Sequence, residues 1–218
     1  MKKIVINFIV FFFLAYQLSA ESRNAIPSFI EIKGAVGVDG IKNYLVENYS
    51  LDKQNEFDYV NEIVDELGGI HKRYIQKYAG YEVIGSMLIL HIKDGLIKSI
   101  SGDVYSIKSI DLKPSVAENM ALEFYISQNP RIEYSWTYLN ENVLDEYKIF
   151  AKKPKGELVV FPEKNEQDSI VEFHLTYRFD VYAISPFSRK YVYVNANNKQ
   201  GIWSQEILCN YTNSNGTI

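Results

Sequence analysis

The sequence predicts an α+β fold made of two small subdomains, each an antiparallel sheet with a helix packed on one face. Three observations lead there. Between Ile70 and Tyr105 lie runs rich in Ile, Tyr and Val, separated by two-residue turns. A helical stretch begins at Ser115, and a second set of strand-like runs follows from Glu157 to Leu208. Strands gathered in clusters, with helices between the clusters, fit α+β layers better than alternating βαβ units.

The elements follow in order. Gly34, Gly37 and Gly40 punctuate the early chain, and Ile41, Tyr44 and Leu45 fall on one face of a first helix. Phe57, Val60, Ile63, Val64 and Leu67 recur at amphipathic spacing and predict a second helix, closed by Gly68-Gly69. Strands are expected over Ile70–Tyr78, Tyr81–Lys93 and Leu96–Tyr105, with turns at Ala79-Gly80 and Asp94-Gly95. Asp-Gly between two apolar runs is a strong two-residue hairpin signal. Ser115 and Glu118 have capping-box spacing at the start of a helix that Asn129-Pro130 ends. Further strands are expected over Tyr147–Ala151, Glu157–Phe161, Ile170–Ala183, Lys190–Asn195 and Ile202–Leu208.

The N-terminus reads differently. Lys2 and Lys3 precede an apolar run from Ile4 to Tyr16, and Leu18-Ser19-Ala20 supplies small residues at its end. That order is a secretory signal peptide over residues 1–20, with cleavage between Ala20 and Glu21, and the run is too short for a membrane span. A secreted or periplasmic chain follows, with no membrane association after signal removal. The formal net charge of −4 argues against nucleic acid as a partner. Cys209 is the one cysteine, so no internal disulfide is available and stability must come from packing. The organisation is then residues 1–20 as signal, 21–110 and 111–209 as the two subdomains, and 210–218 as a polar, flexible tail.

The run His71-Lys72-Arg73-Tyr74-Ile75-Gln76-Lys77-Tyr78-Ala79-Gly80-Tyr81-Glu82-Val83-Ile84-Gly85 carries a family resemblance. Its His71, Arg73, Tyr74, Gln76, Tyr78, Gly80, Val83 and Gly85 fall in the order of the fungalysin/thermolysin propeptide module. Residues 111–209 resemble the PepSY module that follows it in such proregions. The carriers are Pro114 to Phe124, Tyr134-Ser135-Trp136, Gly156 to Val159, Leu175 to Phe179 and Tyr191 to Ala196. Asn195 stands where that module usually has Asp. The resemblance implies a propeptide that binds, inhibits and assists the folding of a thermolysin-like zinc metallopeptidase. In the family the partner domain is in cis; here it is expected in trans, because no peptidase sequence follows.

The residues agree with a non-enzymatic reading. The zincin motif needs two His one helical turn apart with a Glu between them, and no His-Glu-x-x-His occurs in the 218 residues. His71 and His91 fall on predicted strands where they can meet across a sheet, but without a placed carboxylate they read as sheet surface, as does His174. No catalytic residue, metal ligand or cofactor is assigned. Glu62, Asp65 and Glu66 read as a solvated helix face. Cys209, in a polar tail without a neighbouring His, reads as a free or intermolecularly paired thiol. Asn48-Tyr49-Ser50, Asn210-Tyr211-Thr212 and Asn215-Gly216-Thr217 are glycosylation sequons. Arg73, Tyr74 and Gln76 are read as builders of the first hairpin before they are read as peptidase contacts. Two alternatives stay open: a truncated remnant of a peptidase precursor with no activity of its own, and an exported α+β domain that binds a small ligand.

Overall fold

The computed structural model describes residues 25–139, 150–198 and 201–207. The expected signal cleavage at Ala20-Glu21, Cys209 and the C-terminal tail lie outside these residues, and so does most of the strand expected over 147–151. Among the described residues, no helix is long and apolar enough to cross a membrane.

Two antiparallel sheets carry the fold, with a few short helices. The first contains β1 (Phe29–Glu31), β2 (Asn55–Val64), β3 (Ile70–Tyr78), β4 (Tyr81–Glu82), β5 (Leu88–Lys93) and β6 (Leu96–Ser101), in the order β1-β6-β5-β3-β2, with β4 on β3. Helix α1 (Ile41–Tyr49) packs on one face through Ile41 and Leu45, against Leu88, Leu90, Ile97 and Ile100. The second sheet contains β7 (Glu133–Tyr134), β8 (Glu157–Lys164), β9 (Ile170–Ser185), β10 (Phe187–Asn195) and β11 (Ile202–Glu206), in the order β11-β10-β9-β7, with β8 also on β9. Helix α2 (Glu118–Gln128) covers it through Ala121, Leu122 and Tyr125, against Leu175, Phe179 and Val192. A one-turn helix, α3 (Ser135–Tyr138), follows β7.

Three sequence expectations are corrected. The helix expected over Phe57–Leu67 is the strand β2. Phe57 and Tyr59 alternate as strand residues should, but Val60 is an extra residue between the registered pairs Tyr59↔Tyr74 and Asn61↔Arg73. A bulge inserts one residue and breaks the period of two, which turned the remaining apolar positions into an apparent helical repeat. Gly68-Gly69 therefore closes a hairpin rather than a helix, and Glu62, Asp65 and Glu66 sit on a strand end and its turn. Asp65 accepts amide hydrogen bonds from Leu67 (2.9 Å) and Gly69 (2.8 Å), which shapes that turn.

The capping box is also absent. Helix α2 starts at Glu118 behind Ala117 without a side-chain cap. The Ser115 and Val116 amides donate to the Ala196 carbonyl at 3.0 and 2.9 Å, and the Ser115 hydroxyl donates to the Asn197 carbonyl. Glu118 instead accepts from the Gly156 amide at 2.7 Å. Both residues tie the helix entry to the second sheet, so neither remains for the cap. The expected strand Tyr81–Lys93 is split by residues 83–87, which leave the sheet to make the contact described next.

The two sheets meet through a third cluster: Tyr78, Val83, Tyr105, Ile107 and Val160. Val83 and Val160 form a parallel bridge, and the Ile84 amide donates to the Val160 carbonyl at 2.9 Å. Beside it, Arg178 of β9 donates to both carboxylate oxygens of Glu82 at 3.3 and 3.2 Å and to Glu157 at 2.6 Å.

Candidate functional site

The eight motif residues lie on β3 and the segment after it, and the structure divides them by role. Gln76 is fully buried. Its Nε2 donates to Asn55 Oδ1 (2.5 Å) and to the Tyr105 carbonyl (2.7 Å), while its Oε1 accepts from the Tyr105 amide (2.9 Å). Its own amide donates to Ser86 Oγ (3.1 Å), and its carbonyl accepts from the Val83 amide (2.9 Å). The Gln76 side chain thus ties β2 and Tyr105 to β3, and its backbone ties residues 83–86, with every polar atom paired as burial demands.

Tyr78 and Val83 are buried in the inter-sheet cluster. Gly80 follows Ala79 in a turn with φ of +86° and +49°, the positive pair that a tight two-residue hairpin needs. Gly85 also has positive φ, +75°, and its carbonyl accepts from the Tyr105 hydroxyl at 3.3 Å. Burial raises the pKa of that hydroxyl above its ordinary value. Tyr74 packs against the core under α1 and meets Tyr59 edge-on, ring centroids 5.8 Å apart.

His71 and Arg73 lie on the other face of the first sheet. With Ile63, Ile75, Lys77, Ile89, Phe29, Ser99 and Ser101 they make a surface on which no residue is buried. Phe29 is 62% exposed and Ile63 49%. Arg73 reaches Asn61 at 3.4 Å. His71 and His91 are directly registered across β3 and β5, and their Nδ1 atoms lie 2.7 Å apart. His71 Nε2 is 3.0 Å from Asp65 Oδ2, and His91 Nε2 is 2.7 Å from Ser101 Oγ. The Gly69 amide, and then the His71 ring, hold the Asp65 carboxyl below its ordinary pKa. Burial, and then the His71 ring, push His91 below its ordinary value. The sequence placed the two histidines together; it missed Asp65, which it read as helix surface, and Ser101.

Residues 55–104 match the Fungalysin/Thermolysin Propeptide Motif. The matched span begins at Asn55 and ends just before Tyr105, so it holds Gln76 with its Asn55 and Ser86 partners. The motif is that of a protease propeptide, a non-catalytic module. No curated protein sequence matches the chain. Among solved structures, the C-terminal domain of YpeB from Bacillus megaterium is similar, with 12% identity over 83% of this chain and 72% of that one and a TM-score of 0.31. A likeness that weak carries no argument.

In the second sheet, His174 Nε2 lies 2.7 Å from Glu163 and 3.8 Å from Glu172, and its ring stacks on Trp203 at 4.9 Å. The three side chains could gather round a cation. The neighbouring Asn195 opposes it. Its Oδ1 accepts from the Asn197 amide at 2.8 Å, which turns its Nδ2 toward His174 Nδ1 at 3.3 Å. That nitrogen must then accept, so the nitrogen facing the carboxylates carries the hydrogen and has no lone pair for a metal. A cleft of about 670 Å³ lies alongside, between residues 108–111 and the first residues of β9. Its lining mixes Lys108, Asp111, Glu172, His174 and Asn195 with Val171 and Phe173.

Proposed function

We propose that this chain is an exported propeptide-type module that binds a thermolysin-like zinc metallopeptidase domain, holds it inactive and assists its folding. The match of residues 55–104 to the propeptide motif carries the reading. Residues 111–209 act as a second, PepSY-like module, and residues 1–20 direct export. The role needs surface and rigidity rather than a reacting group. The open face of the first sheet and the exposed edge of β2, with Tyr59, Val60 and Val64 largely uncovered, offer the surface. An exposed strand edge is also a natural place for an extended segment of a partner to add. A partner that binds only the native peptidase fold stabilises it by mass action.

The test uses the purified chain and the peptidase domain encoded in the same organism. The denatured domain is refolded with and without the chain, and recovered peptide hydrolysis is measured. Native peptidase is then assayed against rising concentrations of the chain. Higher recovery and concentration-dependent inhibition are expected, weaker than in a covalently linked precursor because linkage supplies a high effective concentration. Equal recovery with no inhibition at micromolar chain overturns the proposal and favours a remnant without activity.

A further inference from the structure

The four side chains Asp65, His71, His91 and Ser101 form an unbroken row from the β2–β3 turn across β3 and β5 to β6. Each end fixes what its neighbour does. A carboxylate only accepts, so His71 Nε2 carries a hydrogen and donates to Asp65. In a neutral ring His71 Nδ1 then accepts, and His91 Nδ1 donates to it. His91 Nε2 is left to accept from the Ser101 hydroxyl. One added proton reverses the middle of the row without breaking it. His71 Nδ1 now donates to His91 Nδ1, and His91 Nε2 donates to Ser101 Oγ, which as a hydroxyl accepts equally well. A second proton has no such solution. Both Nδ1 atoms then carry hydrogens that face each other across 2.7 Å, and two cations share a half-buried site.

We propose that this row is a proton-counting latch on the open face of the first sheet: it stays closed with no or one added proton and opens with the second. Opening separates the two rings between β3 and β5, while the protonated His71 stays paired with Asp65. The charged groups around the pair are few. Asp65 faces it from the turn and favours protonation. Arg73 on the same face of β3 and Lys93 at the end of β5 oppose it, and Glu31 lies two strands away beyond Ser99. The β2 neighbour on that face, Ile63, carries no charge. The depressed pKa of His91 agrees with a site that resists its second proton. Its sign follows: a histidine whose folded pKa lies below the ordinary 6.5 contributes stability that is complete above that value and is lost as pH falls through the folded one. The latch is a property of this sheet and stands whether or not the chain serves a peptidase.

The deciding measurement follows both imidazoles by nitrogen-15 NMR from neutral to acid pH, together with amide exchange corrected for its intrinsic pH dependence. Two separate protonation steps are expected, the second accompanied by lost protection around residues 70–72 and 89–92. In His71→Asn, His91 should titrate in one step, moved upward toward 6.5. Asp65→Asn keeps an oxygen for the turn amides and should move both steps to lower pH, so it tests the row even if the histidine variant folds poorly. Two rings that titrate at the same pH, with the His91 midpoint unmoved by either substitution and no local loss of protection, overturn the latch.

Discussion

Replacing Gln76 with Leu keeps the volume near native and removes the three side-chain hydrogen bonds at the centre of the first sheet. The consequence can be worked from the partners left behind. Asn55 Oδ1, the Tyr105 amide and the Tyr105 carbonyl all lose their partner in a region with no access to water. An orphaned buried polar group costs roughly 1–3 kcal/mol. Three of them, after some local relaxation, cost about 3–5 kcal/mol, at the upper end of what single substitutions do. A domain stable by about 5–15 kcal/mol keeps its fold only marginally after such a loss. Urea unfolding followed by circular dichroism reads it as a lower midpoint with an unchanged slope. Arg73→Ala, three residues away on the half-exposed face, is the control and should stay within about 0.5 kcal/mol of wild type. A Gln76→Leu protein that loses less than about 1 kcal/mol would refute the view that this residue joins the elements through bonds water cannot replace.

Two backbone substitutions test the turns. Gly95→Val should cost about 1 kcal/mol or more, because Asp94 and Gly95 hold φ of +54° and +73° in the β5–β6 turn and a β-branched residue resists that region; a Cβ there meets nothing within 4 Å, so an unchanged unfolding midpoint would remove the conformational argument itself. Gly102→Ala should cost more, about 2 kcal/mol or above, since its φ is +108° and an added Cβ would lie 2.1 Å from the Met87 carbonyl oxygen; thermal unfolding should show it as a drop of several degrees, and equal melting of the two variants would mean the Met87 strand end yields freely.

What the sequence made legible was local. The limits of β3, the two positive-φ turns and the core residues of α1 follow from patterns confined to a few neighbours. The errors arose where distant contacts overrode the local pattern. Val60 bulges because β3 pairs on both sides of it, and Ser115 abandons its cap because the Ala196–Asn197 turn is within reach. The role of Gln76 was hidden for the same reason: its partners stand 21, 29 and 10 residues away. Its position in a family pattern could flag it but could not say whether it builds or binds. The structure answers by sorting the motif. Gln76, Tyr78, Val83, Gly80 and Gly85 form the joint between strands and sheets, and Tyr74 fills the core below α1. His71 and Arg73 lie half-exposed on the open face of the sheet, and Gly80 and Gly85 are exposed at their turns. A motif defined by both sets therefore marks a rigid platform first, whose accessible positions lie on the half-exposed face of His71 and Arg73 and at the two exposed glycine turns.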